Sequence, residues 1–526
     1  MSVDMPVSPP GWKMAMLGDL LINIQAGKSF KCDERPPVHD EVGVVKVSAV
    51  TWGFYDETES KTCTNDSLID EDLFISPGDF LFSRANTIEL VGACVIAEHV
   101  TKRVMLSDKI LRFDISHNFD RWILWSLRSS WGRSEIERLA TGNQESMRNI
   151  GQERIRQIRI ALPPIRERDL IVESIDSYLS RLDSAVASLQ KVQTKLKAYR
   201  ASVLKAAVEG RLVPTEAEIA RREGRDYEPA SVLLARILKE RRCRWEEAEL
   251  ARMKKAGKPP KDDAWKTKYQ EPEAPDTSKL PPLPEGWCWA RAEQVSLFIT
   301  KGTTPTRSEM QPTNGSVPFI KVYNLRFDGS LDFTQDPTFI SKEVHLGFLE
   351  RSVCMPGDVL MNIVGPPLGK VAIVPSTFPE WNINQAIARY RPIAGITAYY
   401  LTYVLLGDQS LRWAESRAKA TAGQFNLTLE IARDIPIPIP PEPEQQRIVD
   451  EIDRQLSASV AVLACATSSV IRCARLRQSV LKWAFEGKLV DQDPYDEPAE
   501  ELLARIRAER AAAPTTKTRG RKAKSS

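Results

Sequence analysis

Two stretches of this 526-residue chain are near-copies of each other, and that duplication limits its architecture more than any other feature. Residues 162–214 align without a gap to residues 439–491. Pro163-Pro164 matches Pro440-Pro441, Ile171-Val172 matches Ile448-Val449, and Ile175-Asp176 matches Ile452-Asp453. Ser202-Val203-Leu204-Lys205 matches Ser479-Val480-Leu481-Lys482, and Glu209-Gly210 matches Glu486-Gly487. The likeness resumes where Leu233-Leu234-Ala235-Arg236-Ile237 pairs with Leu502-Leu503-Ala504-Arg505-Ile506. The segments ahead of the blocks share a plan but few letters. Gly11-Trp12 answers to Gly286-Trp287, Pro77-Gly78-Asp79 to Pro356-Gly357-Asp358, and Arg112-Phe113 to Arg389-Tyr390, about 275 to 280 residues apart. A divergent segment and a repeated one therefore alternate twice, which predicts a common scaffold carrying two dissimilar domains.

The repeated block reads as a long helix with a heptad seam. In the first copy the seam is expected through Ile171, Ile175, Tyr178, Leu182, Ala185, Leu189, Val192, Leu196, Tyr199 and Val203. In the second it runs through Val449, Ile452, Leu456, Leu463, Ala466, Val470, Cys473 and Val480, interrupted by Ser459 and Arg477. Proline pairs bar helix upstream, and Gly210 and Gly487 are suited to end it, because glycine tolerates the left-handed conformation. About 44 residues at 1.5 Å each make a rod of roughly 65 Å. Such a seam cannot stay wet. The nearest partner is the other copy, in an antiparallel pair. A coiled coil that merely dimerises the chain is the bland alternative, weakened by the presence of two copies in one chain.

The divergent segments read as mixed β structure with some helix. Strands are expected at 42–47, 79–83, 93–97 and 110–113, and at 319–322, 359–361, 371–374 and 387–390. Helices are expected at 120–139 and 397–419, and a charged one at 230–255. The predicted fold is α+β: two mixed β-rich domains separated by two long antiparallel coiled-coil helices, as a pseudo-two-fold internal repeat. The expected divisions are a first domain at 10–163, helical regions at 164–257 and 441–513, a Pro/Lys-rich linker at 258–282, a second domain at 283–440 and a basic tail at 514–526.

Composition narrows the class. With 42% hydrophobic and 27% charged residues the chain is globular. No run of the roughly 20 apolar residues needed to span a membrane is evident, and residues 1–10 lack a secretion pattern. The 8 cysteines form no C-x-x-C pair, so neither zinc nor disulfides are expected and a cytoplasmic location is simplest. A net charge of +3 neither requires nor excludes nucleic acid. Gly27-Lys28-Ser29 lacks the earlier glycine of a phosphate loop, with Ile22 in its place, and Gly365 to Lys370 has the wrong spacing. No methylation tetrapeptide of the Asn-Pro-Pro-Tyr type occurs, the four histidines have no metal-ligand spacing, and Glu59-Ser60-Lys61 is too short a nuclease signature to carry weight.

In order, and twice over, the motifs resemble those of type I restriction–modification specificity subunits. The carrying residues are Leu283-Pro284-Glu285-Gly286-Trp287, the string from Pro77 to Thr87 with Leu90-Val91-Gly92, the string from Pro356 to Ile363, Asn384-Gln385-Ala386, and the closing Pro-Pro and Glu-Gly-x-Leu-Val blocks. The resemblance implies a non-catalytic subunit that binds double-stranded DNA, each variable domain reading half of a split sequence. It implies two modification subunits using S-adenosylmethionine and motor-nuclease subunits using ATP and Mg, with no cofactor on this chain. Loop amides, hydroxyls and guanidinium groups suit base edges. The expected DNA-binding residues are therefore Ser83, Arg84, Asn86, Thr87, Thr141, Gly142, Asn143 and Gln144 in the first domain. In the second they are Asn362, Thr421, Gly423, Gln424 and Asn426. Lys46 and Lys321, at matching strand positions, are expected on phosphates. A lone nuclease or methyltransferase and a protein-only scaffold are the competing readings; turnover without added subunits would support the first, and absence of sequence-dependent DNA binding the second.

Overall fold

The computed structural model describes residues 9–512 apart from 145–146, 258–259, 261, 314 and 422–423; the expected basic tail and Gly423 lie outside the described residues. The chain forms two compact units, Met1–Gln190 with Thr467–Ser526, and Lys191–Ala466.

In the first unit an antiparallel sheet has the order Leu21–Ala26, Ile110–Ile115, Phe80–Ser83, Cys94–Ile96. Phe80–Ser83 lies in the middle and is buried along its whole length, which suits a run with no polar alternation. A smaller sheet places Gly43–Val45 between Ser60–Thr62, antiparallel, and Val104–Met105, parallel. The second unit repeats the plan. Its central sheet has the order Ser296–Lys301, Ile387–Pro392, Val359–Asn362, Val371–Ile373, and Val317–Ile320 runs parallel to Trp381–Ile383. In each unit a terminal pair closes the domain: Lys13–Met16 on Arg159–Leu162, and Cys288–Arg291 on Pro436–Ile439. Every strand expected from a β-branched run is present, its ends moved by one or two residues.

The expected helix at 120–139 is two helices, Asp120–Arg128 and Ser130–Leu139. Ser129 is extended and its hydroxyl accepts from the Gly132 N–H at 3.1 Å, so it caps a new helix where the old one stops. The expected helix at 397–419 likewise breaks at Gly407 into Ala398–Leu406 and Asp408–Glu415, and Lys419 already belongs to a strand.

The repeated blocks are single helices, Ile165–Val208 and Glu442–Phe485. In the first unit Ile171, Ile175 and Leu179 share a core with Leu481, Ala484 and Phe485. In the second unit Val203, Leu204 and Ala207 share one with Ile448, Ile452 and Leu456. The start of each helix thus packs with the end of the other, an antiparallel pairing. Of the expected seam positions, Ile171, Ile175, Val203, Val449, Ile452 and Leu456 are buried, and Leu182, Leu189, Leu196, Leu463, Val470 and Val480 are half-buried. Tyr178, Ala185, Val192 and Tyr199 are neither. They are exposed, and their neighbours Leu179, Val186, Gln193 and Arg200 take the seam. By length and composition Glu442–Phe485 is apolar enough to cross a membrane, although serines and a threonine break its apolar letters and it holds no unbroken run of roughly 20 apolar residues. An 18-residue stretch of it has a mean hydropathy of 1.6, because alanine, valine and serine dilute its charge, and little of that stretch is buried.

Both long helices end on a left-handed glycine, φ +66° at Gly210 and at Gly487. The Arg211 N–H returns to the Ala206 carbonyl at 2.9 Å and the Lys488 N–H to that of Trp483 at 2.8 Å, satisfying orphan carbonyls of the last turn. A Cβ on Gly487 would sit 2.5 Å from the Pro9 ring, and one on Gly210 would sit 2.3 Å from that of Pro284.

At the start of each helix a buried carboxylate holds the domain's entry strand. The Trp12 indole N–H donates to Glu167 at 3.0 Å, and that of Trp287 donates to Glu444 at 2.9 Å. The other oxygen of Glu167 accepts from Gln492, and that of Glu444 from the Glu216 backbone. Alongside, the Gly11 carbonyl accepts from Ala499 at 2.9 Å, and the Gly286 carbonyl from Ala230 at 2.8 Å. The first domain is thereby joined to the last helix, Ala499–Ala512, and the second to Ala230–Lys255. Burial raises the pKa of both carboxyls.

Trp287→Phe keeps an aromatic ring but leaves a buried Glu444 oxygen without its donor, and is expected to destabilise the second unit by about 1–3 kcal/mol in urea unfolding. Glu135, on Ser130–Leu139, gives a pH test. Its side chain is only 3% exposed. Burial alone would raise its pKa, but hydrogen bonds from Arg159 and Arg138 outweigh that and bring it to about 2. The stabilisation is therefore present above the unfolded value of about 4.3 and is lost as pH falls towards the folded one. Wild type should lose stability relative to Glu135→Gln over that window in acid unfolding curves.

Candidate nucleic-acid interface

In both units the chain leaves the buried central strand and enters a two-residue strand that pairs with a polar hairpin. In the first, Ala85–Asn86 lies beside Met147–Asn149, which pairs with Thr141–Gln144. Asn86 stands opposite Arg148, and Ala85 opposite Asn149. In the second, Val364–Gly365 lies beside Gln424–Asn426, which pairs with Lys419–Thr421. The residues expected in open loops after the helices, Thr141 to Gln144 and Thr421, Gln424 and Asn426, are thus strand residues. Backbone pairing has taken up their peptide groups.

The frame of each patch is made by main-chain bonds. The Arg84 N–H donates to the Lys109 carbonyl at 2.9 Å, and its own carbonyl accepts from Ile150 at 2.9 Å. At the matching place the Ile363 N–H donates to Ala386 and its carbonyl accepts from Leu427, both at 2.8 Å. In the first patch the Arg84 Nε donates to Asn149 Oδ1 at 3.3 Å, Thr141 Oγ1 to the Asn149 carbonyl at 3.1 Å, and Arg148 Nη1 to the Gly142 carbonyl at 2.7 Å. Gly142 has φ +134°, and a Cβ there would lie 2.6 Å from the Met147 carbonyl oxygen, so the hairpin needs glycine at this point. Asn86 Oδ1 accepts from the Thr87 N–H at 2.9 Å. Arg84, Asn86, Thr87, Thr141 and Gly142 are therefore brought together, with Arg148 and Asn149, which the sequence reading had missed. The only prior signal for these two was their place after a Thr-Gly-Asn turn.

Ser83 and Asn362 are corrections. Both are fully buried. The Ser83 hydroxyl donates to the Ala85 carbonyl at 3.4 Å. Asn362 donates to the carbonyls of Val364 and Pro367 at 3.1 and 2.9 Å and accepts from the Lys370 N–H at 2.8 Å. Its amide shapes the following turn and is closed to a base edge. Lys46 and Lys321 lie outside the patches, each just past its strand and ahead of a 3-10 turn. The Lys46 ammonium donates to the Glu34 carbonyl at 3.2 Å, and that of Lys321 is 3.6 Å from Asp336.

A family model described as the type I restriction modification DNA specificity domain matches residues 284–460. The chain is 32% identical over 188 residues to the EcoEI type I restriction enzyme specificity subunit of Escherichia coli, an alignment spanning 35% of this chain and about a third of that one. With the EcoBI specificity subunit of Escherichia coli it is 23% identical across 94% of this chain and 91% of the relative. A solved chain from work on complex assembly and conformational transition of the type I R-M system has a TM-score of 0.57 at 17% identity, covering 92% of this chain and 99% of its own, which establishes the fold. Duplicated plan, paired long helices and these likenesses agree: residues 284–460 match the type I restriction modification DNA specificity domain, and nearly the whole chain is similar to type I restriction enzyme specificity subunits.

Proposed function

We propose that this chain reads DNA for a type I restriction–modification complex and does no chemistry itself. Readers at 10–163 and 283–440 each recognise half of a split, asymmetric sequence, and the helical regions at 164–257 and 441–513 hold two modification subunits. Those subunits methylate adenine with S-adenosylmethionine, and motor-nuclease subunits using ATP and Mg complete the assembly in the cytoplasm. One observation carries the reading: the same three-stranded polar patch is built in both units on the same main-chain frame, with different side chains. A repeated frame with exchanged side chains suits two base readers. A single reader of three or four base pairs discriminates by only about 1–3 kcal/mol per mismatch, and joining two makes the second engagement intramolecular. Exposed Leu476 and Trp483, two turns apart on one face of the second long helix, offer an apolar surface for the modification subunits.

Mapping methylated adenines in cells with and without this gene tests the assignment: one bipartite motif should disappear with the gene, and an unchanged map would refute it. Leu476→Glu combined with Trp483→Glu should weaken co-purification with the modification subunits by ten-fold or more, while the chain's thermal unfolding is unaltered. Asn362→Ala should cost the second unit about 1–3 kcal/mol in denaturant unfolding, through unpaired peptide groups, without changing the letters of the motif.

A further inference from the structure

The patch of the first reader carries two guanidinium groups at places where the second has none: Arg84 and Arg148 correspond to Ile363 and Phe425 in the paired strands. Arg84 is pinned through both its peptide groups, and its Nε donates to Asn149 Oδ1. With one edge of the guanidinium engaged, Nη1 and Nη2 have no acceptor among the described residues. Arg148 is differently placed, since its Nη1 is given to the Gly142 carbonyl and its Nε is buried. The chain beyond Thr87 is held by a third guanidinium. Arg133 Nη1 donates to the Val91 carbonyl at 2.6 Å, and Nη2 to those of Ile88 and Glu89 at 3.2 and 3.0 Å. Arg133 is largely buried and committed to these carbonyls, so it fixes the loop beside Arg84 and Asn86 without offering the fork itself.

A planar pair of free N–H donors set beside a rigid loop matches two acceptors in one plane. In the major groove the guanine O6 and N7 supply that pair, and no other base does so. A phosphate supplies two acceptors as well, without regard to sequence. The pre-set Nε contact and the lack of an arginine at the corresponding place in the second reader favour the base, because a general phosphate grip would serve both halves alike. We propose that Arg84 reads a guanine in the half-site taken by the first reader, presenting Nη1 and Nη2 to O6 and N7, with Arg133 as the positioning residue of the adjoining loop. This rests on the DNA-reading assignment above.

The test uses the chain assembled with its modification subunits. Duplexes carrying the mapped motif are prepared with 7-deazaguanine, which lacks the N7 acceptor, replacing one guanine at a time. In wild type, one guanine in one half-site should weaken binding by roughly ten-fold. In the Arg84→Gln complex that replacement should make little further difference, and the methylation map should show that one base pair relaxed and the other half-site unchanged. Arg133→Gln should relax the same base pair. If no guanine is sensitive in wild type, or if Arg84→Gln weakens all sequences equally, as loss of a phosphate contact would, the proposal is overturned. Should Arg84→Gln fail to assemble, Arg84→Lys decides: it keeps the charge but not the fork, and undiminished discrimination at the sensitive guanine would overturn the assignment. A wild-type complex that prefers no sequence at all would instead refute the DNA-reading assignment itself.

Discussion

A 44-residue helix with an apolar stripe along one side has no stable existence in water, and this chain has two of them. Their mutual burial is the constraint from which the rest follows. Because the pairing is antiparallel, each compact unit takes the start of one helix and the end of the other, together with a domain and one further helix, Ala499–Ala512 in the first and Ala230–Lys255 in the second. The indole–carboxylate bonds of Trp12 with Glu167 and Trp287 with Glu444, and the glycine ends packed under Pro9 and Pro284, fasten those pieces at matching points. Residues that look unrelated along the chain are thus neighbours within a unit, and the repeated letters of the blocks mark where the fastening occurs.

The duplication makes this organisation legible, and it carries the register of the seam as well. Reading the first helix alone, Tyr178 and Tyr199 look more suitable than Leu179 and Arg200, since both tyrosines continue a pattern of fours and threes. The second copy takes Leu456, Leu463 and Val470, which correspond to Leu179, Val186 and Gln193. Transferring that register places Leu179, Val186 and Gln193 on the first seam. What apolarity alone could not reveal is that Gln193, Arg200 and Arg477 stand on the inner side, where a long side chain can run along its partner with its polar end at the margin. The identity of Glu167 and Glu444 was equally visible, but a carboxylate near a helix start reads as an ordinary capping charge until the indole facing it is seen.

The patches were legible in position and only partly in detail. The polar strings after Phe82 and Met361, and those after the helices, do converge. Sequence could not separate the amide that builds a turn from the amide that faces outward, because asparagine is suited to both. Asn362 is the case in point, saturated by its own backbone neighbours. Nor could it show that the strings would form strands, since short polar hairpins carry little of the alternation by which strands are recognised.

The main-chain frame of the patches bears on how such a protein changes. The bonds from Ile150 to Arg84 and from Leu427 to Ile363 join peptide groups, which nearly every amino acid possesses. Side chains projecting from the frame can be exchanged with little penalty to folding, whereas a change along the apolar struts costs the burial that holds each unit together. The uneven divergence along this chain, faithful in the helices and free in the domains between them, is the record such a division would leave.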